Sequence, residues 1–179
     1  MIILEDIALR RGQKLLFSGA SATLQPGQKI ALIGGNGCGK SSLFALLLDE
    51  LQADAGDIRG LKGLRISHMA QEIETSHLTA RDYVVAGDAA LFQTLQALAR
   101  ADATGDYEQS ATLHQRMEEL DGYSAERRAE QLLLGLGFQR EKMDAPMSAF
   151  SGGWRIRLNL ARALMAPSDL MLLDEPTNH

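Results

Sequence analysis

The octapeptide Gly34-Gly35-Asn36-Gly37-Cys38-Gly39-Lys40-Ser41 constrains this chain more than any other feature, because it fills the pattern G-x-x-x-x-G-K-[S/T] completely. Ahead of it, Lys29–Ile33 reads as a short β-type run introduced by Pro26-Gly27, a dipeptide that turns the chain. Behind it, Lys40 opens a stretch of helix formers, Ser41-Ser42-Leu43-Phe44-Ala45-Leu46-Leu47, free of Gly and Pro. Strand, glycine loop and helix in that order make a cradle for a polyphosphate. Backbone N–H groups must wrap the anion, and only glycines let the chain curl that closely. The helix aims its N-terminal partial charge at the same place, and Lys40 supplies a full charge to the β- and γ-phosphates. Ser41 offers a hydroxyl to Mg²⁺, and Ser42 follows in the first helical turn. The expected ligand is a nucleotide's polyphosphate, with magnesium.

With 179 residues, the chain is long enough for one well-buried core and short for two. No run approaches the roughly 18 apolar residues of a membrane span, so no membrane partner is expected. Met1-Ile2-Ile3-Leu4-Glu5-Asp6 has early acids and no basic region before an apolar segment. It does not read as a secretory signal, which leaves the cytoplasm. Cys38 is the sole cysteine, which excludes an internal disulfide and a multi-cysteine zinc site. His68, His77, His114 and His179 form no H-E-x-x-H arrangement. A net charge of −5 argues against broad binding to DNA or other nucleic acid, and leaves a local basic face open.

Along the chain, Ile2–Leu9 and Lys29–Ile33 read as strands, as does Leu64–Met69 running into Gln71. Gly56, Gly60 and Gly63 interrupt the stretch between. About residues 79–138 the texture becomes Ala, Leu, Gln, Glu and Arg, the composition of helices. Thr79 with Asp82 three residues on fits a helix-start capping pair. Apolar stripes at Leu91/Leu95/Leu98, Leu113/Met117/Leu120 and Leu132/Leu133/Leu136 predict core-packing faces, and Gly105 and Gly122 separate them. The expectation is a helical hairpin and a third helix, inserted as a lobe. The chain then returns to α/β character: a helix over Ser151–Met165, stopped by Pro167, and a doubly buried strand at Leu170–Leu173.

That last strand runs into Asp174 and Glu175, the end at which open α/β sheets bind ligands. Asp174 suits the metal's outer partner, and Glu175 suits orienting or deprotonating the attacking water. Gln71 could complete the magnesium and water shell through its amide oxygen; a solvated strand-end glutamine is the alternative. Read as helix or turn acids, Asp174 and Glu175 would fit the following Pro176, which makes a helix start possible, but their place at the end of an apolar strand would stay unexplained.

Three segments taken together resemble the ATP-binding cassette (ABC) ATPases: the loop Gly34–Ser41, Phe150-Ser151-Gly152-Gly153-Trp154-Arg155, and Leu173-Asp174-Glu175-Pro176-Thr177-Asn178-His179. The resemblance covers essentially the whole chain, and Ser151-Gly152-Gly153 is its most specific element. It implies an α/β P-loop NTPase fold with a parallel core sheet, a small antiparallel β-subdomain and an inserted helical subdomain. The core would comprise about 1–75 and 147–179, the helical subdomain about 76–146. Ser151 and the amides of Gly152 and Gly153 would cap the γ-phosphate held by a second cassette. Thr177-Asn178-His179, Trp154 with the run Arg155–Ala161, and Leu120-Asp121-Gly122-Tyr123 resemble the ABC-F branch. That branch implies two cassettes in one chain, action on the ribosome and its RNA, and ATP hydrolysis in the complete protein. The alternative is the ATP-binding subunit of a membrane transporter. Two departures stand out. Arg10 and Arg11 occupy positions where an adenine-stacking aromatic is common, and His179 falls inside the D-loop pattern. By resemblance, the switch histidine and the second cassette would lie beyond it, and these residues alone would bind ATP with little turnover.

Overall fold

A computed structural model describes residues 1–69 and 77–174 of the chain. The described residues fall into two compact units: Met1–Ile66 with Ser168–Leu172, and the remainder.

The first unit is built on a hairpin of β1 (Ile2–Arg11) and β2 (Lys14–Leu24), with β3 (Ala55–Arg59) antiparallel on the other side of β1. Gly12, at φ +60°, makes the reversal, and Arg11 faces Lys14 across it. Along β1 the buried side chains are Ile2, Leu4, Ile7 and Leu9, so the alternation changes phase between Leu4 and Ile7. A β-bulge there causes the change: Asp6 adopts φ +50°, the register with β2 shifts, and the Asp6 N–H is taken by Ser21 Oγ at 2.9 Å. One extra residue keeps both halves of the strand facing one core. Gly56 fits against the bulge because a side chain there would overlap the Glu5 and Asp6 carbonyls. Helix α1 (Lys40–Leu47) buries Leu46 and Leu47 in the cluster formed by Ile2, Leu4, Ile7, Leu9 and Leu172.

Two short strands, β4 (Ile66–His68) and β5 (Leu170–Leu172), form a two-stranded sheet. Just before them Arg65 grips Asp169. Its backbone N–H and Nε donate to Oδ2 at 2.9 and 3.1 Å, and Nη2 donates to Oδ1 at 3.1 Å. These hydrogen bonds, the guanidinium's first, lower the Asp169 carboxyl to about 2.

The second unit is helical: α2 (Ala80–Val85), α3 (Ala89–Thr104), α4 (Tyr107–Glu119), α5 (Ala125–Gly135) and α6 (Gly152–Met165). The expected caps form. Thr79 Oγ1 accepts from the Asp82 N–H at 3.1 Å, and Gly105 closes α3 at φ +70°. Asp88 and Asp106 cap α3 and α4 in the same way as Thr79 caps α2. The three predicted stripes deliver Leu91, Met117 and Leu133 to one core with Tyr83, Val84, Phe138, Met143, Met147 and Leu158. Gly87, just past α2, lies against the backbone of α6, where a Cβ would overlap the Arg162 carbonyl. Gly87→Ala must therefore push two helices apart, at a cost of about 3 kcal/mol and roughly 6–12 °C in Tm. A thermal melt of the variant indistinguishable from that of the parent chain would contradict this packing.

Two sequence expectations need correction. Lys29–Ile33 joins no strand ladder among the described residues, and Ile30, Leu32 and Ile33 are 59%, 42% and 90% exposed. A parallel strand needs a neighbour's backbone groups as well as an apolar sequence, and no described segment offers Lys29–Ile33 a paired edge. In the other direction, β2 and β3 were not read from the sequence as strands. The alternation of Ala20, Ala22 and Leu24 with Ser21 and Thr23, after a Gly12 turn, was the available signal for β2.

Candidate phosphate-binding site

Glycine conformation shapes the loop. Gly37 takes φ +72° and Gly39 takes φ +110°, the latter standing immediately before the first residue of α1. A non-glycine at either would be strained. Gly39 is also tight: a Cβ would lie 3.0 Å from the Phe17 ring and 3.2 Å from Leu16 Cβ. At Gly34 a Cβ would lie 2.6 Å from Cys38 Sγ, so the cysteine fills the space across the loop. Its thiol is exposed.

Lys40 folds back over this arc, with Nζ donating to the carbonyls of Gly34 at 2.8 Å and Gly35 at 3.2 Å. A second ammonium arrives from β2, where Lys14 Nζ donates to the Gly37 carbonyl at 3.1 Å. Inside the arc, the Cys38 N–H reaches the Gly35 carbonyl at 3.3 Å. Helix α1 makes its first backbone bond from the Leu43 N–H to the Gly39 carbonyl at 2.9 Å. The N–H groups of Lys40, Ser41 and Ser42 therefore precede the first intrahelical donor. Ser41 is exposed at that end and Ser42 is buried. Carbonyls held by ammonium groups, with amides and a cation gathered at an exposed helix start, fit a polyphosphate.

Ser151, Gly152 and Gly153 stand at the start of α6 in the second unit. Ser151 is the N-cap in extended conformation, all three are exposed, and a Cβ on either glycine would meet nothing within 4 Å. The segment is held from behind. Arg155 Nε and Nη2 donate to the carbonyls of Phe150 and Ser148 at 2.9 and 3.1 Å. Trp154 packs edge-on against Phe138 at 4.7 Å between centroids, with the Arg157 guanidinium over its ring at 4.8 Å. The amides at this helix start are thus presented on a braced backbone. Asp174 follows β5 after one intervening residue and is half-buried. Gln71 and Glu175 lie outside the described residues.

The structure thus gathers Gly34–Ser42 at one place, with the Ser151–Gly153 helix start on the other unit. Among the described residues no group of three or more His, Cys, Asp and Glu side chains could hold a metal by itself. No helix among the described residues is long and apolar enough to cross a membrane. Lys14 is the site residue that sequence reading missed. Its signal was a lysine two residues beyond a hairpin glycine, which carries no hint of the loop 23 residues away.

Comparison with known proteins bears on the same elements. The sequence model of the family described as "ABC transporter" matches residues 17–178. Over its full length the chain is 49% identical to "Probable ATP-binding protein YheS" of Haemophilus influenzae, of which it covers 28%. Over 98% of its length it is 34% identical to "ATP-binding cassette sub-family F member 3" of Homo sapiens, of which it covers 25%. The chain thus spans about a quarter of the length of these curated relatives. A solved structure described as "Putative ABC transporter (ATP-binding protein)" from Pyrococcus furiosus matches with a TM-score of 0.71 at 15% identity, covering 99% of this chain and 76% of that one. At that identity the likeness is one of fold.

Proposed function

The chain belongs to the ABC transporter family and has the mixed α/β ABC ATPase fold, and on that premise we propose that it is the ATP-binding and hydrolysing cassette of an ABC-F type, ribosome-associated translation factor acting in the cytoplasm. The observation that carries the nucleotide half of this reading is the loop itself. Lys40 is folded over the carbonyls of Gly34 and Gly35, and α1 makes its first backbone bond only at Leu43, whose N–H donates to the Gly39 carbonyl. The ABC-F half is supported by the likeness to sub-family F member 3 and by Thr177-Asn178-His179 after the Asp-Glu-Pro run.

In this reading Gly34–Ser42 hold the phosphates of ATP. Lys40 moves from the loop carbonyls to the β- and γ-phosphoryl oxygens, exchanging two hydrogen bonds for charge-assisted ones. Ser41, Asp174 and Gln71 would hold Mg²⁺, which would offset the charge on the phosphates when bound. Glu175 orients the attacking water and accepts its proton. Ser151, Gly152 and Gly153 face a different nucleotide, the one held by a second cassette. An exposed helix start on a braced backbone is an anion site for whatever approaches it. ATP held between two cassettes would favour their closed arrangement, and hydrolysis would release it.

The ribosome assignment is tested by sedimentation. The complete protein carrying Glu175→Gln, which should bind ATP without consuming it, is expected to co-sediment with ribosomes when ATP is present. Free migration under those conditions would instead favour the ATP-binding subunit of a membrane transporter.

A further inference from the structure

Lys14 lies outside the glycine-rich octapeptide, yet its ammonium reaches the crest of the loop, donating to the Gly37 carbonyl. The reach is set by the fold. Gly12 turns β1 into β2, and Lys14 is the first residue of the returning strand. The same strand supports the next glycine of the loop, since Leu16 and Phe17 are the atoms that a Cβ on Gly39 would strike. Strand β2 therefore touches the second half of the loop at two successive glycines, once with charge and once with apolar bulk.

We propose that Lys14 is a positioning residue for the nucleotide phosphates, holding the Gly37–Cys38 peptide with its N–H turned into the loop. This rests on the nucleotide reading given above. In a trans peptide the carbonyl and the following N–H point in opposite directions. A Gly37 carbonyl drawn to Lys14 therefore leaves the Cys38 N–H on the other side, within the arc. There it meets the Gly35 carbonyl at 3.3 Å, a long hydrogen bond that a phosphoryl oxygen can replace at little cost. Charge points the same way. Arg11 and Lys14 are directly opposed in the β1–β2 register, an unfavourable like-charge pairing in isolation. A multiply charged anion at the loop relieves it, and ADP and ATP do so more than AMP.

Calorimetric titration of this chain with ATP, ADP and AMP tests the assignment. Lys14→Met is expected to weaken ATP and ADP about 3–10-fold and to flatten the salt dependence of binding, with an unchanged Tm. Lys14→Arg, which keeps the charge and a donor, is expected to restore most of the affinity. Wild-type affinity in Lys14→Met, with binding lost in Lys40→Ala, would overturn the role of Lys14 and leave the loop assignment standing. A parent chain that takes up no ATP would overturn both. Should Lys14→Met lower the Tm, Lys14→Gln and Lys14→Arg decide: rescue by Arg alone supports the positioning role, and equal weakening in both overturns it.

Discussion

Lys40→Ala is expected to remove ATP binding from this chain, with affinity falling at least about 100-fold, or about 2.8 kcal/mol. Two losses combine. The phosphates lose their ammonium partner, whose hydrogen bonds to oxyanions are about twice as strong as neutral ones. The loop also loses the group that bridges the Gly34 and Gly35 carbonyls at 2.8 and 3.2 Å, so its arc is no longer tied across. Lys40 is the first residue of α1 and its side chain stays outside the core, so the Tm should change little while the calorimetric signal disappears. Unchanged affinity would refute the assignment of Gly34–Ser41 as the phosphate site, and with it the whole functional reading.

For Glu175→Gln the expected outcome is a separation of binding from turnover. In the complete protein, ATP affinity should stay within a few-fold of the parent's, because the amide keeps the shape and polarity of the side chain. Hydrolysis at this site should fall about 100-fold or more, since an amide cannot take a proton from water. Single-turnover measurement of phosphate release reads the two apart. Turnover retained at this site would remove Glu175 as the water-activating group and shift attention to the neighbouring carboxylate of Asp174. The prediction rests on sequence order: Glu175 follows Asp174 directly at the end of a strand whose last residue, Leu172, is buried.

Much of the architecture was legible because the signals were local. The Thr79/Asp82 cap, the Gly105 stop, the stripes ending in Leu91, Met117 and Leu133, and the helix start after Ser151 each depend on residues within one or two turns. Helix signals are of this kind, since both the hydrogen bonds and the side-chain spacing close within four residues. Strand signals are not. Lys29–Ile33 has the composition of a strand and joins no ladder among the described residues, whereas Lys14–Leu24, interrupted by Gly19, pairs along most of β1. The Asp6 bulge explains why β1 itself is easily misread, since its buried residues change phase halfway.

What the sequence determined by itself was local: an octapeptide whose glycines allow a tight turn into a helix that opens with Lys40 and Ser41, and two acids closing an apolar run. Those depend on backbone freedom, charge and short-range spacing, all of which are properties of neighbouring residues. What only the tertiary structure decided was which distant groups serve that loop. Lys14 reaches Gly37, and Leu16 with Phe17 limits Gly39, because a hairpin turned at Gly12 lays β2 beside the loop. Contacts across more than twenty residues are selected by chain reversal and packing, and no local pattern of residue types encodes their partners.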